Sequence, residues 1–255
     1  MRNFIIAGNW KMNTTPTTGV ELARSISDHI PPHTGVKVLL FPPATHLSHF
    51  QQEFNEADFE YGGQNVHWEN SGAYTGEFSP EMLLELGCKW VIVGHSERRK
   101  FFGETDQSVN KRLLNTLNSS LSPILCIGET LTERESNLTY EVLERQIKVA
   151  LENLTDENAE RLVVAYEPVW AIGTGHTATT DQAQEAHHFI RNVLAQCFSG
   201  ELANNIVVQY GGSVNAGNAL ELMSCPDVDG ALIGGASLKP DEFIRIIEIA
   251  DSLGG

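Results

Sequence analysis

Three side chains in this sequence carry acid, base or charge within otherwise apolar surroundings: Lys11, His95 and Glu167. Glu167 ends the run Val163-Val164-Ala165-Tyr166 and is followed at once by Pro168. A carboxylate at the poorly hydrated end of a buried strand has its charged form disfavoured, which suits it to taking a proton from carbon next to a carbonyl. A helix-capping or loop-anchoring glutamate is the plainer alternative. His95 directly follows Val91-Ile92-Val93-Gly94 and precedes Ser96-Glu97-Arg98-Arg99, a stretch able to start a short helix. A helix N-terminus disfavours an imidazolium and leaves a neutral ring that can donate a hydrogen bond to a carbonyl oxygen; a histidine that only caps the turn is the competing reading. Lys11 sits in Gly8-Asn9-Trp10-Lys11-Met12-Asn13, oddly apolar for a surface loop, and offers a fixed cation for an anionic ligand, with Glu97 as its expected partner.

The residues beyond Glu167 favour the base over the anchor. The segment Pro168-Val169-Trp170-Ala171-Ile172-Gly173-Thr174-Gly175-His176 has a stiff start, an exposed-looking Trp and Ile, and a Gly-Thr-Gly hinge. That composition describes a water-excluding lid more than a simple connector. Gly211-Gly212-Ser213 and Gly234-Gly235 would let backbone N–H groups approach a phosphate, with Gly173-Thr174-Gly175 as a third donor set. Tight turns would explain either glycine pair alone, but two pairs after the last two strands favour the phosphate. His187 and His188 are adjacent and lack metal-pair spacing, so they read as packing or surface residues.

These residues need elements to position them. Eight short apolar runs recur: Phe4–Ala7, Val36–Phe41, Phe59–Tyr61, Trp90–Val93, Ile124–Ile127, Leu162–Tyr166, Ile206–Tyr210 and Ala231–Ile233. Amphipathic stretches lie between them, at Thr17–Ile30, Ser79–Leu86, Ser108–Leu117, Asn137–Leu151, Thr179–Cys197, Asn215–Met223 and Pro240–Asp251, with a weaker one at Ala44–Phe54. Near-continuous apolar strands alternating with helices imply a parallel sheet covered on both faces. Eight such units favour a closed α/β barrel, (β/α)8, forming a single domain over residues 1–255, against an open doubly wound sheet. In such a barrel Asn9 and Lys11 after the first strand, His95 after the fourth, Glu129 after the fifth, Glu167 after the sixth and the two glycine pairs all meet at one rim.

Composition excludes several classes. With 17 basic against 33 acidic residues the chain carries a formal charge of −16, the wrong sign for a nucleic-acid backbone binder. An anionic ligand would then need local positive potential from Lys11 and backbone N–H groups. No apolar run is long enough to span a membrane or to act as a signal segment, so the expected location is the cytoplasm. Cys88, Cys126, Cys197 and Cys225 are scattered, with no metal-ligand spacing, and read as free thiols, Cys126 as a small buried hydrophobe.

Five blocks resemble those of triosephosphate isomerases: Asn9-Trp10-Lys11, His95-Ser96-Glu97-Arg98-Arg99, Tyr166-Glu167-Pro168-Val169-Trp170-Ala171-Ile172-Gly173-Thr174-Gly175, Tyr210-Gly211-Gly212-Ser213-Val214 and Gly234-Gly235-Ala236-Ser237-Leu238. The resemblance implies a glycolytic and gluconeogenic TIM-barrel enzyme that interconverts dihydroxyacetone phosphate and D-glyceraldehyde 3-phosphate through an enediol or enediolate, without metal or organic cofactor. Glu167 would shuttle the proton, His95 would polarise and protonate the oxygens, and Lys11, Asn9 and Glu97 would complete the catalytic set. Asn9 and Lys11 would bind substrate, and Gly173, Ser213, Gly234 and Gly235 would supply phosphate contacts. It also implies a homodimer through the loop Asn65–Phe78, whose Trp68, Tyr74 and Phe78 a solvated loop would not favour unless they fold back on their own barrel. His176 departs from the family, which often has lysine there. Two other readings stay open: another phosphate-binding barrel enzyme acting on a larger sugar phosphate, and a catalytically idle barrel that only binds.

Overall fold

The computed structural model describes residues 4–172 and 177–254. Its strands are β1 (Ile5–Asn9), β2 (Lys37–Phe41), β3 (Glu60–Gly63), β4 (Trp90–Val93), β5 (Ser122–Ile127), β6 (Val163–Tyr166), β7 (Val207–Tyr210) and β8 (Gly230–Ile233). Each pairs in parallel with its neighbours in sequence order, and β8 returns to β1 through Ile5↔Gly230 to Gly8↔Ile233, so the barrel is closed. All eight strands coincide with the apolar runs of the sequence to within a few residues.

The period-two alternation of each strand sorts its side chains into two layers. Ile5, Ala7, Leu39, Phe41, Trp90, Ile92, Ile124, Cys126, Val163, Ala165 and Leu232 fill one apolar cluster inside the barrel. Ile6, Val38, Leu40, Val91, Val93, Leu125, Val164, Val208 and Ile233 point outward, into a larger cluster shared with the helices. Both faces are dry, which is why these strands read as unbroken apolar runs.

The helices obey their capping chemistry. Thr179 and Gln182 form a capping box that starts the helix Thr180–Cys197, and Ser79 accepts from the Met82 N–H at the head of Pro80–Glu85. Some starts differ from expectation: the stretch from Asn137 becomes a helix only at Thr139, with Leu138 and no side-chain cap at its head. Ser108 is not a cap but the third residue of a capping box with Thr105, so that helix begins at Asp106. Asn215 spends its Oδ1 on the N–H groups of Gly217 (2.8 Å) and Asn218 (3.2 Å), a local turn that delays the helix to Ala219–Met223. Ala44–Phe54 divides into a 3-10 turn, Ala44–His46, and a helix, Leu47–Glu53. Short helices at Leu131–Glu135, Asp156–Ala159 and Gly200–Asn205 leave no mark in the sequence pattern, because four to six residues are too few to show a 3.6 period.

The adjacent histidines separate as helix geometry requires. His188 is exposed and pairs with Asp227 at 3.1 Å. His187 is fully buried, with Nδ1 2.7 Å from the Ala183 carbonyl oxygen and its ring edge-on to Tyr166. Burial holds its pKa down, from 6.5 to about 4. On acidification the unfolded chain therefore takes up this proton first, so stability falls with pH across that window, by roughly 3 kcal/mol at pH 4. Urea denaturation of wild type and His187→Phe between pH 7 and pH 4 is the check: the variant should lose distinctly less stability on acidification, and parallel losses would assign the effect elsewhere.

Candidate active site

The rim at the C-terminal ends of the strands gathers Asn9, Lys11, His95, Glu167, Ser213, Gly234 and Gly235 around one cleft of about 360 Å³, with Ile172 and Leu232 as apolar walls. Residues from five different strand ends thus face a single space. Gly173, Thr174, Gly175 and His176 lie outside the described residues.

Glu167 is the centre of this arrangement. Its N–H continues the β6–β5 ladder onto Ile127 O (2.7 Å), which fixes the backbone, and its side chain is 2% exposed. Three donors hold the carboxylate: Ser96 N–H to Oε2 (2.9 Å), Ser96 O–H to Oε1 (3.2 Å) and His95 Nε2 to Oε1 (3.0 Å). Two glycines make room for it. A Cβ at Gly128 would lie 1.7 Å from the Glu167 carbonyl oxygen, and one at Gly211 would lie 2.9 Å from Glu167 Cγ.

His95 is the N-cap of the helix Ser96–Phe102, reached through Gly94 at φ +76°. Its carbonyl accepts the N–H groups of Arg98 (2.8 Å) and Arg99 (3.2 Å), so the residue is locked into the helix start. Nδ1 accepts the Glu97 backbone N–H at 3.2 Å. A ring nitrogen that accepts carries no proton, so the neutral ring is the tautomer with its proton on Nε2, the atom that faces Glu167.

Lys11 adopts a left-handed backbone, φ 53°, which L-residues avoid unless their surroundings impose it. Its N–H donates to Asn9 Oδ1 (3.0 Å), and its carbonyl accepts from Gln64 Nε2 (2.8 Å), whose amide also bonds Phe41 O. The ammonium meets Glu97 Oε1 at 2.8 Å, the pairing expected from the sequence. Both side chains stay partly exposed, so the pair contributes about 0–1 kcal/mol, little enough for an anionic ligand to recruit the lysine.

The glycine pairs differ from each other. Gly211 and Gly212 are packed tight: a Cβ at Gly212 would be 2.3 Å from the Tyr210 hydroxyl oxygen. Among the described residues a Cβ on Gly235 would meet nothing within 4 Å, and one on Gly234 would sit 3.4 Å from Lys11 Cε. Both pairs line the cleft with Lys11, and among the described residues the second is the less crowded.

Glu129 anchors the start of the segment after β6. Fully buried, it accepts from the Tyr166 hydroxyl (3.1 Å to each oxygen), Trp170 Nε1 (2.8 Å) and Arg134 (3.1 Å), while the Arg134 guanidinium stacks 4.4 Å from the Trp170 ring. Trp170 is therefore half-buried and tethered, not exposed as its sequence suggested. The loop Asn65–Phe78 packs partly against its own chain, with Tyr74 4.1 Å from the His67 ring. Trp68 folds back under the Arg112 guanidinium (5.0 Å) and His67 (4.2 Å), leaving Tyr74 (41%) and Phe78 (37%) as its exposed aromatics.

Sequence reasoning missed the donors Ser96 and Gln64. Ser96 was visible as the first residue of the helix behind His95, and Gln64 as the polar residue following β3 at the same rim.

A family model described as triosephosphate isomerase matches residues 4–250. The chain is 49% identical to the triosephosphate isomerase of Rhodopirellula baltica over 251 residues, covering 98% of this chain and 99% of that one. It is 48% identical to those of Geotalea uraniireducens, over 98% of this chain and all of the relative, and Carboxydothermus hydrogenoformans, over 97% and 99%.

The His95 tautomer can be read directly. Imidazole ¹⁵N shifts of the neutral ring should show a protonated Nε2 and a bare Nδ1, and the reverse assignment would mean that the Glu97 N–H does not set the proton's place.

Proposed function

Because the chain belongs to the triosephosphate isomerase family, we propose that it interconverts dihydroxyacetone phosphate and D-glyceraldehyde 3-phosphate through an enediol or enediolate, acting in glycolysis and gluconeogenesis from the cytoplasm. The observation that carries the reading is the opposition of a buried carboxylate and an Nε2–H across 3.0 Å at the mouth of a cleft that also holds a lysine. With substrate between them, Glu167 removes the proton from one carbon and returns it to the next, while His95 donates a hydrogen bond to the oxygen on which charge develops. The substrate's own carbonyl is the electron sink. His95 holds its proton on the face turned to substrate because its other nitrogen is occupied by Glu97 N–H.

Lys11 leaves its weak pairing with Glu97 for the substrate, and Asn9 keeps the lysine's backbone in the turn that presents it. Phosphate is bound where Gly234, Gly235 and Ser213 meet the cleft, next to the Lys11 side chain, with Gly173 as a further contact. The segment from Pro168 to His176 closes over the bound substrate and keeps water from an intermediate that would otherwise eliminate phosphate. The chain works as one catalytic domain and as a homodimer through the Asn65–Phe78 loop, where the exposed Tyr74 and Phe78 supply apolar contact. No helix among the described residues is long and apolar enough to cross a membrane.

Turnover in a coupled triose phosphate assay tests the central assignment. Glu167→Gln keeps the shape and removes the base, so kcat should fall by about 10²–10⁴ with the fold intact; activity within a few-fold of wild type would overturn it. Sedimentation at micromolar protein should give twice the 28.1 kDa chain mass, and a purely monomeric species would rule out the dimer.

A further inference from the structure

Lys11 depends on a loop with little burial of its own. After the buried Trp10, residues Met12, Asn13, Thr14 and Thr15 are exposed, Met12 at 95%. Yet the loop holds two non-glycine residues in left-handed conformation, Lys11 at φ 53° and Thr14 at φ 67°. Such conformations persist only where the surroundings over-determine them. On the near side the Asn13 amide donates to Trp10 O (2.6 Å) and Gln64 donates to Lys11 O (2.8 Å). The far side is fixed by a histidine from another element.

His46 ends the 3-10 turn Ala44–His46 after β2 and is 1% exposed. Its ring is walled in. Trp10 meets it edge-on at 6.5 Å, and a Cβ on Gly19, in the helix Pro16–Ser27, would lie 2.3 Å from its Cδ2. Nε2 stands 2.9 Å from the Thr14 hydroxyl oxygen and Nδ1 3.0 Å from the Thr45 hydroxyl oxygen. The direction of these bonds follows from the proton count. The Thr14 hydroxyl donates its single hydrogen to Asn13 O (2.5 Å), so toward His46 it can only accept. Nε2 therefore carries the ring proton, and Nδ1 accepts from Thr45. A relay runs from Thr45 through His46 and Thr14 to Asn13, and the backbone of Thr15 and Pro43 also bonds the ring. Burial, with His49 nearby, also keeps the imidazole's pKa below its ordinary value, in keeping with a neutral ring.

We propose that His46, acting through Thr14, is a positioning residue for the reaction: it fixes the left-handed loop that places the Lys11 ammonium at the cleft. The ring itself does not line the cleft. This inference rests on the reading of Lys11 as the substrate-binding cation.

Thr14 is exposed, so changing it spares the core. In Thr14→Val the relay breaks, and the KM for glyceraldehyde 3-phosphate and the calorimetric dissociation constant of inorganic phosphate should both rise about tenfold, with kcat within threefold and the melting temperature unchanged. Thr14→Ser, which keeps the hydroxyl, and His46→Gln, whose amide can donate from near the Nε2 position, should stay close to wild type. Unchanged KM and phosphate affinity in Thr14→Val, or an equal loss in Thr14→Ser, would overturn the proposal. If wild type bound phosphate and Thr14→Val weakened that binding while neither turned over triose phosphate, the loop's role would stand and the functional reading would fall.

Discussion

The Glu167 carboxylate, held at once by a ring nitrogen and by both donors of Ser96, is the contact on which the site depends. It joins the end of β6 to the end of β4, and at 3.0 Å the contact must open before anything can stand between the Glu167 carboxylate and the His95 ring. The arrangement is possible because the neighbouring strand ends are glycine: any side chain at Gly128 or Gly211 would collide with Glu167 itself. Chemistry at this rim therefore begins with close packing in the barrel, and the polar groups are placed by apolar constraints.

A second constraint is electrostatic. The chain carries a formal charge of −16, and its cleft contains Glu167 and Glu242 beside Lys11 and Lys239. An anion would thus be favoured only within a short range of the Lys11 ammonium, where the nearby cation outweighs the distant field. This makes the placement of one ammonium matter, and the structure invests several hydrogen bonds in the backbone of Lys11 while leaving its side chain in a weak, breakable pair.

The barrel was legible because its strands are buried on both faces and several of its helices open on Ser or Thr caps. The rim logic then brought Asn9, Lys11, His95 and Glu167 together from positions far apart in sequence, and the resemblance to a known family supplied the roles proposed for them. Less visible were interactions without a pattern of their own. Ser96 and Gln64 act through single hydrogen bonds, which no periodicity announces. Trp170 looked exposed because a sequence does not show Glu129 and Arg134 closing round its ring. The two glycine pairs looked alike, whereas crowding requires glycine at Gly211 and Gly212 and, among the described residues, not at Gly235.

Cys126 lies inside the barrel on β5, fully buried, and both that burial and the charge of Glu167 push its thiol well above the ordinary range. A thiol that does not ionise is a poor nucleophile toward peroxides and disulfides. The strand beneath Glu167 is in this way shielded from oxidative modification, by the same dry packing that keeps solvent from the carboxylate above it.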